Sequence, residues 1–415
     1  SYPAVSAAWV LSNESFMKKM TAVNLLKIRA SYGRAGWDQI PYGLTQQYYI
    51  WGGQYYFGDA NNVASGNKED KLAMNNLTLE VSDKYNVGID MRLFNKLSVT
   101  LDAFLDKRSN ILIGANNLIS SAIGISVPQQ NAGKEEKKGL EVSMEWKDYS
   151  RKDFHYYVGA NLTYIKTKVV ENGEGYKPWN YLSGKGLAIG QIFGLEAIGY
   201  FRDEADIANS PVQSFGTYLP GDIKYKDINK DGKISDADLV PIGYPTTPEI
   251  TYGFGLSMGF KNWDISCFFQ GSARSSFFID SEQIAPFNNP PSTTGSYTRK
   301  TALFQAIADS YWSEEHRDIY AFWPRLSTES IKNNTQVSTW WMRDGSFMRL
   351  KSLELGYSFP QQMIKKIHLT KLRLYANGTN LLTFSKFKLW DPEMGGLGVG
   401  YPNQRVINLG IQVDF

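Results

Sequence analysis

Cysteine is almost missing from this chain. A single residue, Cys267, among 415 excludes a disulfide framework and any cysteine-based zinc or iron–sulfur site. Histidine is nearly as scarce, at three. An excess of one charge is lacking too: 44 Lys and Arg stand against 41 Asp and Glu, dispersed along the chain, which gives no field for nucleic acid. No apolar run approaches the roughly 18 residues that a membrane helix needs. The start has neither an initiator Met nor a targeting segment, and Ser1-Tyr2-Pro3-Ala4-Val5-Ser6-Ala7-Ala8-Trp9 reads as domain interior. The chain is therefore expected to be a mature fragment or one section of a longer polypeptide. What is abundant is rings and glycine, with 22 Phe, 25 Tyr, 11 Trp and 37 Gly, a composition that suits β structure better than helix.

The pattern agrees, because residues alternate with period two over segments of roughly 8 to 14, the length of strands that cross a bilayer at a tilt. Leu97, Val99, Leu101, Ala103 and Leu105 oppose Ser98, Thr100, Asp102 and Phe104. Leu140, Val142, Met144 and Trp146 oppose Glu141, Ser143 and Glu145. Trp263, Ile265, Cys267 and Phe269 oppose Asp264, Ser266, Phe268 and Gln270, and Ile407, Leu409, Ile411, Val413 and Phe415 oppose Asn408, Gly410, Gln412 and Asp414. Connections alternate in length: short turns at 94–96, 147–152 and 261–262, and long stretches near 35–80, 109–136, 169–188, 202–248, 275–344 and 385–404. A soluble β-sandwich explains any one such hairpin, yet gives no reason for this asymmetry. Short turns on one side and long loops on the other belong to outer-membrane barrels. Rings at strand ends (Trp146 and Tyr149, Tyr156 and Tyr157, Tyr357 and Phe359) suit the headgroup level. The expected fold is all-β, a transmembrane antiparallel β-barrel section of about a dozen strands, with closure requiring strands N-terminal to residue 1.

Several motifs carry a family likeness. They are Ser346-Phe347-Met348-Arg349-Leu350-Lys351-Ser352-Leu353-Glu354-Leu355-Gly356-Tyr357-Ser358-Phe359-Pro360, Leu372-Arg373-Leu374-Tyr375-Ala376-Asn377-Gly378-Thr379-Asn380-Leu381-Leu382-Thr383-Phe384, Trp390-Asp391-Pro392-Glu393, and Tyr401-Pro402 running into the last strand. With Pro3–Trp9 and Leu26–Gly33 they resemble, in order and spacing, the C-terminal barrel half of SusC/RagA-type TonB-dependent transporters of Bacteroidetes. The resemblance implies a plugged barrel of about 22 strands. It also implies a SusD-type surface lipoprotein as lid, coupling to TonB, and a terminal Phe415 read by the assembly machinery. The family's plug, energy-coupling box and N-terminal domain have no counterpart in residues 1–415.

Two loop features carry chemistry. Asp227-Ile228-Asn229-Lys230-Asp231-Gly232-Lys233-Ile234-Ser235-Asp236-Ala237-Asp238 has calcium-loop spacing: Asp227, Asn229 and Asp231 at positions 1, 3 and 5, the Lys233 carbonyl, and Asp238 at position 12. Asp in place of the usual Glu shortens the last ligand's reach, so structural Ca²⁺, or Mg²⁺, is expected. The competing reading is an Asx-rich turn capping a short helix at 235–239. Rings concentrate in two loops: Trp37, Tyr48, Tyr49, Trp51, Tyr55, Tyr56 and Phe57 in one, and Tyr311, Trp312, Tyr320, Phe322, Trp323, Trp340 and Trp341 in the other. They suit sugar stacking as well as packing of the loops on one another or on a lid. The loop at 275–344 also holds Pro290-Pro291.

Catalysis has no support. His155, His316 and His368 lack ligand spacing, and no G-x-S-x-G, phosphate-loop or dinucleotide fingerprint follows a strand. The expected function is import of nutrient oligomers, glycans first and peptides as the alternative, with a non-transporting carbohydrate-binding adhesin as the rival from another class. Asp102, Glu141 and Asp264 are expected to face the lumen.

Overall fold

The computed structural model describes residues 2–56, 58, 63–114, 125, 129–287 and 301–415; Phe57, Pro290 and Pro291 lie outside them. Two compact units divide the chain, Ser1–Val142 with Ile165–Ile189, and Ser143–Tyr164 with Gly190–Phe415.

The main sheet is antiparallel and has eleven strands, each hydrogen-bonded to its neighbour in sequence. They are β1 (Ala4–Val10), β2 (Val23–Trp37), β3 (Glu80–Leu93), β4 (Leu97–Ile113), β5 (Gln130–Asp148), β6 (Phe154–Glu171), β7 (Ile250–Phe260), β8 (Trp263–Ala273), β9 (Phe347–Ser358), β10 (Lys371–Ser385) and β11 (Val406–Asp414). The expected strands and short turns are all present. Where β3 turns into β4, Phe94 and Asn95 both adopt left-handed φ, at 55° and 56°, and Lys261 does so (54°) between β7 and β8. Such turns match the twist of the strands they join.

Period-two alternation becomes two chemically distinct faces in each unit. In the first, Ile28, Ile89 and Leu101 lie in one cross-strand row, while Arg29, Gly88 and Asp102 form the adjacent row on the opposite face. In the second, Leu256, Cys267 and Leu353 lie in one row, and Ser257, Ser266 and Glu354 in its polar neighbour. Large side chains of the apolar face stand in the open, among them Val87, Leu374, Ile407 and Leu409, the last 85 % exposed. A surface of this kind is covered by lipid rather than water. Rings gather at the short-turn end: Phe154 against Phe260, Trp263 against Tyr357, and Tyr357 against Phe359.

The buried core of the second unit lies among its long connections rather than on the sheet. Four small strand pairs (Phe193–Gly194 with Val240–Pro241, Ala197–Tyr200 with Ile223–Tyr225, Val212–Gln213 with Lys233–Ile234, and Ser276–Phe278 with Met342–Asp344) frame it. Leu195, Ile223, Tyr225, Ile234, Ile307, Trp312, Trp323 and Trp341 fill it. Stretches read from the sequence as loops thus fold on an apolar core of their own. In the first unit a hairpin, Tyr48–Tyr56 with Val63–Lys71, rises from the connection between β2 and β3.

Candidate functional site

The 227–238 segment closes on its own backbone. Gly232 has φ +83°, in the region glycine favours, and its N–H donates to Asp227 Oδ2 at 2.9 Å. Lys230 N–H donates to Asp227 Oδ1 (2.6 Å) and Lys233 N–H to Asp231 Oδ1 (2.8 Å), while Asn229 Nδ2 donates to Asp231 Oδ2 (2.9 Å). Asp238 is fully buried and accepts from Ile228 N–H and Ser235 N–H, both at 2.8 Å; with Ser235 it forms a capping box on a 3₁₀ turn at Asp236–Asp238. The donor types suit a hard cation. Among the described residues no group of three or more His, Cys, Asp or Glu side chains is gathered to hold a metal by itself, and a calcium loop also draws on amide and backbone carbonyl oxygens such as those of Asn229 and Lys233. The arrangement on view is that of Asx turns and a cap.

The ring candidates separate. Trp312, Trp323 and Trp341 are buried in the core of the connections and Trp340 packs against it, with Trp323 and Trp341 centroids 5.0 Å apart. Their faces are spent on packing. Trp37, Tyr49, Trp51 and Tyr55 are exposed, and Tyr48 is half-buried. On the hairpin, Tyr49, Trp51 and Tyr56 pair with Glu69, Asn67 and Val63. Phe415 is 90 % exposed beyond β11.

On the polar face of each unit charges are paired. Arg29 reaches Asp102 at 2.5 Å and Asp90 at 3.3 Å, and Arg373 binds Asp264 and Glu354. Two of the acids read from the sequence as lumenal, Asp102 and Asp264, therefore sit in ion-pair networks, while Glu141 is exposed.

Toward the loop-bearing ends of β6 to β9, the polar face of the second unit holds a cavity of about 630 Å³. Its wall comes in register: Thr163, Thr251, Ser272 and Phe347 form one row, and Asn161, Gly253 and Gln270 the next, a row that continues to Arg349, itself buried and not part of the lining. One row further lie Gly159, Gly255 and Phe268. The missing side chains make room for the Phe268 ring, since a Cβ on Gly253 would stand 2.9 Å from its Cζ and one on Gly255 3.2 Å from its Cδ2. That ring stays 37 % exposed. Glu393 adds a carboxylate from the connection between β10 and β11. Arg349, all but fully buried, fixes that segment by reaching Asp391 at 2.5 Å and Glu393 at 3.0 Å.

Phe268, Asn161, Gln270 and Glu393 were not singled out by sequence reasoning. The available signal was a lone aromatic among the polar positions of an alternating strand, beside a strand with glycine at positions 253 and 255.

In the loop core, Asp222 has no exposed surface. It accepts from Leu219 N–H (2.8 Å) and Asn334 Nδ2 (2.9 Å) and faces Arg325 at 2.9 Å. Burial pushes its carboxyl above the usual range, with these partners opposing.

Comparison with known proteins fits this architecture. The family model described as TonB dependent receptor-like, beta-barrel, matches residues 2–381. TonB-dependent receptor P26 of Formosa agariphila is 28 % identical over 100 % of this chain, which covers 42 % of that protein. TonB-dependent receptor SusC of Bacteroides thetaiotaomicron is 24 % identical, again over 100 % of the chain and 40 % of the relative. Among solved structures, the RagAB peptide importer in its open-open state superposes with a TM-score of 0.72 at 21 % identity, over 100 % of this chain and 42 % of that one, a likeness of fold. The chain spans less than half the length of these relatives. With its two-faced antiparallel sheet, it belongs to the TonB-dependent receptor-like β-barrels of the outer membrane.

Proposed function

We propose that this chain is the C-terminal barrel section of a TonB-dependent importer of nutrient oligomers, with glycans as cargo. The observation that carries the cargo class is the cavity around Phe268, where an open ring lies among amide and hydroxyl side chains on the polar face. Flat rings hold the C–H faces of sugars while neighbouring amides and hydroxyls meet their hydroxyl groups. The reading requires a plug with the remaining barrel strands, TonB acting through the N-terminal region, and a SusD-type surface lipoprotein as lid. It gives the 227–238 segment a structural calcium or magnesium ion. Peptide import is the second reading, because amide-rich walls also suit a peptide backbone. A free-standing adhesin is disfavoured by the exposed apolar face, which needs lipid. Chemistry on the cargo is not part of the reading, the family being one of receptors rather than enzymes.

The test is isolation from the native membrane in detergent, with mass spectrometry of every co-purifying chain, followed by growth of a deletion strain on defined glycans or peptides. Recovery with a plug segment and a surface lipoprotein, and loss of growth on a glycan, is the expected result. Recovery as a lone, detergent-independent chain overturns the importer reading, and loss of growth on peptides alone moves the cargo to the second reading.

A further inference from the structure

We infer that the cavity floored by Phe268 is a subsite for uncharged sugar residues and that it selects against sulfated and uronic-acid glycans. The inference rests on the glycan-import reading and adds to it the charge class of the cargo and the residues that set it.

The platform is specific in its construction. Phe268 occupies a position where its strand otherwise presents Asp264, Ser266, Gln270 and Ser272. Its row neighbours on β7 and β6 are Gly255 and Gly159, so no side chain from them covers the ring. Around it stand Asn161, Gln270, Thr163, Thr251 and Ser272, all neutral and all able both to donate and to accept. A sugar hydroxyl, itself donor and acceptor, is met whichever way it turns.

The electrostatics exclude as well as admit. No Lys, Arg or His is among the described residues that line the cavity, and Glu393 is the acid there. The guanidinium of Arg349, which touches Glu393, is shared with Asp391, so two carboxylates meet one cation and the site keeps a negative balance. A sulfate or uronate would enter against that charge, the guanidinium of Arg349 being already shared between the two carboxylates. Discrimination of this kind comes from the repulsive element as much as from the attractive one.

The experiment uses the full-length receptor purified in detergent, probed on an array of neutral and anionic oligosaccharides and of peptides. Titration calorimetry then follows with a retained neutral hexamer and with hexagalacturonate. Wild type is expected to retain neutral sugars. Phe268→Ala should weaken the neutral hexamer by about tenfold with an unchanged melting temperature, and Phe268→Tyr should bind like wild type. Glu393→Gln should strengthen hexagalacturonate relative to the neutral hexamer by about tenfold. Preferential retention of anionic glycans, or equal neutral binding by wild type and Phe268→Ala, overturns the subsite while leaving import in place. Retention of no oligosaccharide, with or without peptides, removes the glycan reading itself.

Discussion

Asp222 and Arg349 are buried charges with different consequences. The Asp222 carboxyl, lifted by burial above its ordinary 3.8, holds its proton more tightly folded than unfolded. Between those two values the native state binds more protons, so stability is greatest at and below the ordinary carboxylate range and declines as pH rises through the raised value. Near-UV circular dichroism melts of the loop core should therefore shift upward on mild acidification, and Asp222→Asn should flatten that dependence; an identical slope in the variant refutes the assignment. Arg349 works through pairing. Replacing it with Met strands the Asp391 carboxylate, whose side chain is only 13 % exposed, beside Glu393. Breaking such a pair costs about 3 kcal/mol, to be read as a lowered denaturation midpoint in lipid vesicles, with cleavage appearing in residues 386–405. A midpoint equal to wild type would mean that the segment is held by other contacts.

At the scale of elements, the sheet strands were legible because alternation is local: each strand writes its two faces into its own residues. The folded connections were not. Trp312 packs against Gly221, at a φ of +85°, where a Cβ would come within 2.1 Å of its ring, and the two positions are far apart in sequence. Whether a loop ring packs or stands open is decided by such distant partners, so Trp312, Trp323 and Trp341 looked the same as Tyr49 and Trp51 in the sequence. The 227–238 segment shows the same limit for ligands, since spacing names the donors and only geometry says what they hold. If calcium orders it, Asp231→Ala raises protease cleavage across 220–240 in calcium, and chelator does the same to wild type, the barrel staying folded. If Asx turns and the cap suffice, Asp238→Ala exposes the segment equally in calcium and in chelator, and wild type cleaves alike in both.

For the whole molecule, the decisive property is that its sheet has two faces with different solvents. Leu256 and Ser257 are consecutive, mid-strand in β7, and point to opposite faces: Leu256 lies across from Val158 and Cys267, Ser257 across from Tyr157 and Ser266. An arginine in place of Leu256 would put a cation into hydrocarbon, at about 2–4 kcal/mol near the bilayer midplane. In place of Ser257 it would enter the face that already holds Arg373 with Asp264 and Glu354. Leu256→Arg should therefore reduce the heat-modifiable, folded fraction of the full-length receptor in outer-membrane preparations, and Ser257→Arg should leave it near wild type. Equal yields would mean that the apolar face meets protein or water instead of lipid. The reverse order would exchange the two faces and place Phe268 and its cavity on the outside, so this one comparison bears on the membrane assignment and the cargo site together.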